Sequence, residues 1–109
     1  MTSDNGLRDY ILDQLSGMGE FETKNMFGGT ALLRNGVAFA KIKHGSLWLK
    51  ADDGNINDFK DRGMVQYTYG KDNSRTLNFY ETPDEVMEDS ELLVKWASKA
   101  CKAANRSKK

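Results

Sequence analysis

Two dipeptides, Asn35-Gly36 and His44-Gly45, divide the segment from Phe21 to Lys50 into apolar runs. An Asn-Gly pair accepts the positive backbone angles of a two-residue loop whose twist matches paired strands, so the chain turns straight back on itself there. His44 and Gly45 occupy an equivalent place between "VAFAKIK" and "SLWLKA". Strands joined by such short loops can only be antiparallel. The segment therefore predicts a three-strand meander, and the remaining elements must cover at least one of its faces.

Amphipathic helices on both sides can do this. Leu7, Ile11 and Leu15 recur every four residues, with Tyr10 and Met18 beside them, after the cap candidates Ser3 and Asp4. Gly17 and Gly19 can close that helix. "DDGNINDFKDRG" predicts a short helix pinned by Ile56 and Phe59 and stopped at Gly63. "MVQYTYG" and "RTLNFYE" alternate as two more strands joined by "KDNS". "TPDE" opens the last helical region, with Thr82 as cap, Pro83 at the first helical position and Glu85 completing a capping box. A second cap falls at Asp89 or Ser90, followed by a stripe of Leu92, Leu93, Trp96, Ala97, Ala100, Cys101 and Ala104. The expected fold is α+β: a two-layer sandwich with a five-stranded antiparallel sheet and helices on one face, in the order α-β(3)-α-β(2)-α.

A chain of 109 residues suits one domain, here residues 1–109, with about 104–109 as a frayed basic tail. Sixteen basic residues balance sixteen acidic ones, so no global field draws in nucleic acid or membrane. The lone cysteine excludes an internal disulfide and points to a reduced, cytoplasmic setting. No segment approaches the roughly 18 apolar residues of a membrane span.

Tests for chemistry fail one after another. Gly28 and Gly29 are followed by an apolar strand, whereas a phosphate loop needs a helix N-terminus or a Gly-Lys-Ser/Thr sequence. They read as a bend at a strand start. "DGNIND" has Asp53, Asn55 and Asn57 at alternate positions, but Asp58 and Met64 stand where a calcium loop needs glycine and glutamate. His44 is the only histidine, so neither a zinc cluster nor a histidine triad can assemble in one chain. Cys101 lies on an apolar stripe as a small hydrophobe, and the acids of "EDSE" complement a helix start. The reading is a non-enzyme with no catalytic residue, metal or cofactor.

Two surfaces remain. Lys95, Lys99, Lys102 and Arg106 form a basic stripe on the last helix, extended by Lys108 and Lys109, that could hold nucleic-acid phosphates. If Leu47 and Leu49 face the helices, Ser46, Trp48 and Lys50 face away, and the alternation sets Tyr80 opposite Leu77 and Phe79. An open sheet face carrying Trp48, Lys50 and Tyr80, with Gly28 and Gly29 beside it, suits a protein partner or a second copy.

The ordered set "MFGG", "NGVAFAKI", "GSLWLKAD" with Asn55 and Phe59, "YTY", "LNFYETPDE" and "ELLVKWASKACKAA" resembles the N-terminal domain of the TfoX/Sxy regulators of bacterial competence, from about Lys24 to Ala104. Asn25 departs from the arginine or lysine often found before "FGG" in that family. The resemblance implies a two-layer α/β domain similar to secretion chaperones and a regulatory role without an active site. It also implies a protein partner such as the cyclic AMP receptor protein. The full regulators carry a second, helical domain, so the chain is expected to act as a stand-alone N-terminal domain. Direct nucleic-acid binding and a homodimeric, chaperone-like adaptor are the alternatives.

Overall fold

The meander is present, and it has one strand more than expected. A computed structural model describes residues 4–26, 29–43 and 45–107; Ser3, Gly28, His44, Lys108 and Lys109 lie outside them. Four strands follow one another, β1 (Glu22–Met26), β2 (Gly29–Arg34), β3 (Val37–Lys43) and β4 (Ser46–Lys50), and β5 (Gln66–Tyr69) and β6 (Arg75–Glu81) complete one antiparallel sheet in the order β1-β2-β3-β4-β6-β5. The expected five strands are thus six, and the order is α-β(4)-α-β(2) with two closing helices. The missed strand, β1, is an edge strand whose residues from Glu22 to Asn25 are all exposed, so it carries no apolar alternation to read. Asn35 and Gly36, at φ 56° and 79°, form the β2–β3 turn as their chemistry requires.

The helices are α1 (Asp4–Gln14), α2 (Ile56–Lys60), α3 (Asp84–Met87) and α4 (Ser90–Ser107), with a 3₁₀ turn at Ser16–Met18 after α1. α4 packs on β3 and β4, and α1 on β3. Leu93, Trp96, Ala97, Ala100, Cys101 and Ala104 are buried as expected, and Ala103 joins them. They meet Leu32, Ala40, Ile42, Leu47 and Leu49 from the sheet, and Ile11 and Leu15 from α1. Trp96 lies edge-on to Phe59 of α2, with ring centroids 5.0 Å apart, under the guanidinium of Arg62 at 5.1 Å. A bulge in β3 sets Phe39 as an extra residue between the partners of Leu32 and Leu33, so that Phe39 and Ala40 both enter the core.

Two local details differ from the sequence reading. The capping box does not form: α3 begins after Pro83, and no side chain caps it. Thr82 donates its backbone N–H to Leu47 O at 2.9 Å, which keeps it in the sheet, and its buried hydroxyl has no partner. α4 is capped by Asp89, one of the two positions expected for a second cap, whose Oδ1 accepts from Leu92 N at 3.1 Å. The expected frayed tail is helical as far as Ser107, with Ala104 buried. Asn55 is buried before α2, accepting from Asp52 N at 2.8 Å and donating to Lys50 O at 3.0 Å, which locks the β4–α2 turn.

Two substitutions test this core by denaturant unfolding. Trp96→Ala is expected to cost about 3–5 kcal/mol, because it leaves a cavity under α4. Asn55→Ala should cost about 1–3 kcal/mol through the backbone groups it orphans.

Candidate functional site

Residues opposite one another in an antiparallel pair share a face, so the register decides which side chains meet. Leu49 is opposite Ala40 and Tyr80, and all three point into the helical layer. Trp48 is opposite Lys41 and Glu81, and Lys50 is opposite Phe79, on the helix-free face. Ser46, Trp48 and Lys50 are therefore where the alternation put them. Tyr80 is not: it stacks on Phe59 at 5.5 Å inside the core, and Phe79 takes the open face. Strand alternation separates neighbouring residues but does not say which neighbour faces out, and two adjacent aromatics give no polarity to decide it.

Trp48 is also not exposed; it retains only 9% of its surface. Tyr67 from β5 meets it edge-on at 4.9 Å, Phe79 packs in the same cluster with Leu77 alongside, and its indole N–H donates to Lys43 O at 2.9 Å. Because Tyr67 reaches across β6 to touch β4, the β5–β6 hairpin bends over the open face. An irregularity between Gln66 and Thr68 loosens the ladder there, and the Gln66 amide donates to Leu77 O at 3.0 Å.

Around this aromatic cluster stand three lysines. Lys41 Nζ lies 5.0 Å from the Tyr67 ring centre and 5.4 Å from that of Phe79, and Lys50 Nζ lies 5.2 Å from Phe79. Lys41, Lys43 and Lys50 make no ion pair among the described residues. Partial burial, reinforced by the charges of Lys43 and Lys50, holds the Lys41 ammonium below the usual lysine range. Glu81, on the same face, accepts from the Ser46 hydroxyl at 2.7 Å.

Between the two hairpins runs a groove of about 500 Å³, lined among others by Ala31, Lys41, Lys43, Tyr67, Tyr69 and Leu77. Gly29 forms its end, and a Cβ there would meet Ile42 O at 2.6 Å, so close packing of β2 on β3 explains this glycine. The groove residues other than Gly29 were missed in the sequence, although Lys41 and Lys43 alternate with the core residues Ala40 and Ile42. That parity was the available signal.

The basic stripe is partly neutralised. Lys99 Nζ pairs with Asp58 Oδ2 at 3.0 Å, and Arg106 grips Asp52 through two hydrogen bonds of 2.5 and 2.7 Å. The Arg106 hydrogen bonds, aided by the Gly54 N–H, hold the Asp52 carboxyl below its usual range against the opposing effect of burial. Lys95 and Lys102 are exposed. Burial raises the Cys101 thiol, with Arg34 opposing, so it sits protonated in the core. No group of three or more His, Cys, Asp or Glu side chains suited to a metal gathers among the described residues, and no described helix is long and apolar enough to cross a membrane.

Two measurements check this arrangement. Trp48→Ala should lower unfolding stability by about 3 kcal/mol, as removal of a packed aromatic does, rather than trim a surface. The Asp52–Arg106 pair stabilises the fold above the unfolded carboxylate pKa, and that contribution is lost as pH falls through the lowered folded value. The stability difference between wild type and Arg106→Ala should therefore be present at neutral pH and vanish in acid below the ordinary carboxylate range.

No curated protein matches the chain. The family model of the TfoX N-terminal domain matches residues 13–104, which include both hairpins, the lysines of the open face and α4 up to Ala104. The chain belongs to the TfoX N-terminal domain family.

Proposed function

We propose that the protein is a non-enzymatic regulatory domain that works in the cytoplasm by docking the open face of its sheet on a protein partner. The observation that supports this reading is the set of lysines 41, 43 and 50 around an aromatic floor, none of them in an ion pair among the described residues. Folding accounts for the aromatic cluster and uses the lysine stems and ring contacts, but the mutual repulsion of three neighbouring cations opposes it. An acidic surface on a partner would satisfy them, and Tyr69 and Val65, both exposed on or beside the β5 edge, supply apolar contact at the rim. In keeping with the family, the partner is a transcription regulator such as the cyclic AMP receptor protein. Trp48 and Tyr80, being packed inside, support this surface rather than touch the partner.

Calorimetric titration of the wild-type chain with the purified receptor protein from the same cell tests the reading. Wild type should bind, and the double variant Lys43→Glu, Lys50→Glu should bind at least about tenfold more weakly while still unfolding cooperatively well above the titration temperature. Absence of binding by wild type, or equal binding by the variant, overturns it. Lys95→Glu with Lys102→Glu, on the other layer, should leave the affinity alone.

A further inference from the structure

We infer that the groove between the β2–β3 and β5–β6 hairpins is a binding site for a small molecule with a flat apolar body and a single anionic group, carboxylate or phosphate. This goes beyond partner docking and does not depend on it, since it rests on the concavity of the face rather than on its charge alone. At about 500 Å³ the groove falls in the range of roughly 300–1,000 Å³ that holds such ligands.

Its lining is divided by chemistry. Ala31, Leu77 and the rings of Tyr67 and Tyr69 supply apolar walls, and Lys41 and Lys43 supply charge. The Lys41 ammonium is held from below, standing over the Tyr67 and Phe79 rings, and the Lys43 backbone is tied by its carbonyl to the Trp48 indole. Lys41 is half-buried beside two other cations, so its charged form is disfavoured until an anion arrives. A bound anion removes that penalty and gains a charge-assisted hydrogen bond. The walls reward an apolar body, and two aromatic rings favour a planar one through edge contacts. A bare inorganic anion would leave the walls unused, and a neutral apolar molecule would leave the lysines unpaired. Gly29 at the groove's end bears no side chain that could fill it.

The experiment is a nuclear magnetic resonance titration of the full ¹⁵N-labelled chain with four probes: naphthalene-2-carboxylate, 2-naphthyl phosphate, naphthalene-2-methanol and acetate. At least one aromatic anion should shift the amides of Ala31, Lys41, Tyr69 and Leu77 and saturate. The neutral alcohol should bind at least about tenfold more weakly, and acetate should not saturate. Whichever aromatic anion binds more tightly identifies the head group. Lys41→Gln should weaken the anions about tenfold while leaving the alcohol unchanged, and Lys95→Gln should change nothing. Should Lys41→Gln fail to fold, Lys43→Gln is read in its place. Equal binding of alcohol and acids, shifts centred on α4, or no saturation by either aromatic anion overturns the inference. These probes are titrated without the receptor protein, so the outcome is distinct from that of the docking test.

Discussion

The structure depends on how closely α4 can lie on the sheet. Ala97, Ala100, Ala103 and Ala104 are buried, and their small side chains let the helix backbone approach β3 and β4 while Leu93 and Trp96 fill the flanks. Each depends on the other: an amphipathic helix in a protein takes most of its stability from packing its apolar face, and a sheet with one bare apolar face would associate with others. Their contact fixes which face of β3 and β4 is inside. Through the ladder from β4 to β6 it then fixes which of Phe79 and Tyr80 is inside as well.

Covering one face leaves the other to protect itself. No helix among the described residues covers it, and the β5–β6 hairpin bends across and closes Trp48 beneath Tyr67 and beside Phe79. This second cluster is smaller than the first and is roofed in part by lysine stems, whose methylenes cover apolar surface while their charges reach outward. The same bend that shields Trp48 makes the groove. Concavity and aromatic burial are therefore two results of one arrangement.

Much of the fold was legible because its signals are local. Asn35-Gly36, the four-residue spacing of Leu7, Ile11 and Leu15, and the stripe of α4 each state a structure without reference to distant residues. What failed was non-local. β1 is polar from Glu22 to Asn25 and is a strand because β2 offers it hydrogen bonds. Thr82 is spelled as a helix cap, yet its N–H is taken by Leu47 from another strand. Tyr80 went to the wrong face because parity within β6 is set by its pairing with Leu49, not by its own composition. The candidate site suffered most, since a groove formed by residues from β2, β3, β5 and β6 has no contiguous sequence. The basic stripe was legible as a stripe, but its partners Asp52 and Asp58 come from the α2 region, and only the folded chain brings them within reach.

The paired glycines show how far a structural explanation extends into a functional one. For Gly29 the packing reason suffices: a side chain would strike Ile42 O and press on the Lys43 stem, and β2 could not stay in register with β3. That same absence keeps the groove open where Lys43 begins. A residue excluded by backbone packing thus also shapes the cavity, and an alanine there would disturb both at once. Lys41 and Lys43 differ in kind. The backbone ladder would pair as well with threonine or glutamine at either position, and partial burial beside two other cations disfavours the charge of Lys41 even as its stem covers the rings. Both side chains line the groove beside its apolar walls, and that placement is what the proposed ligand would use.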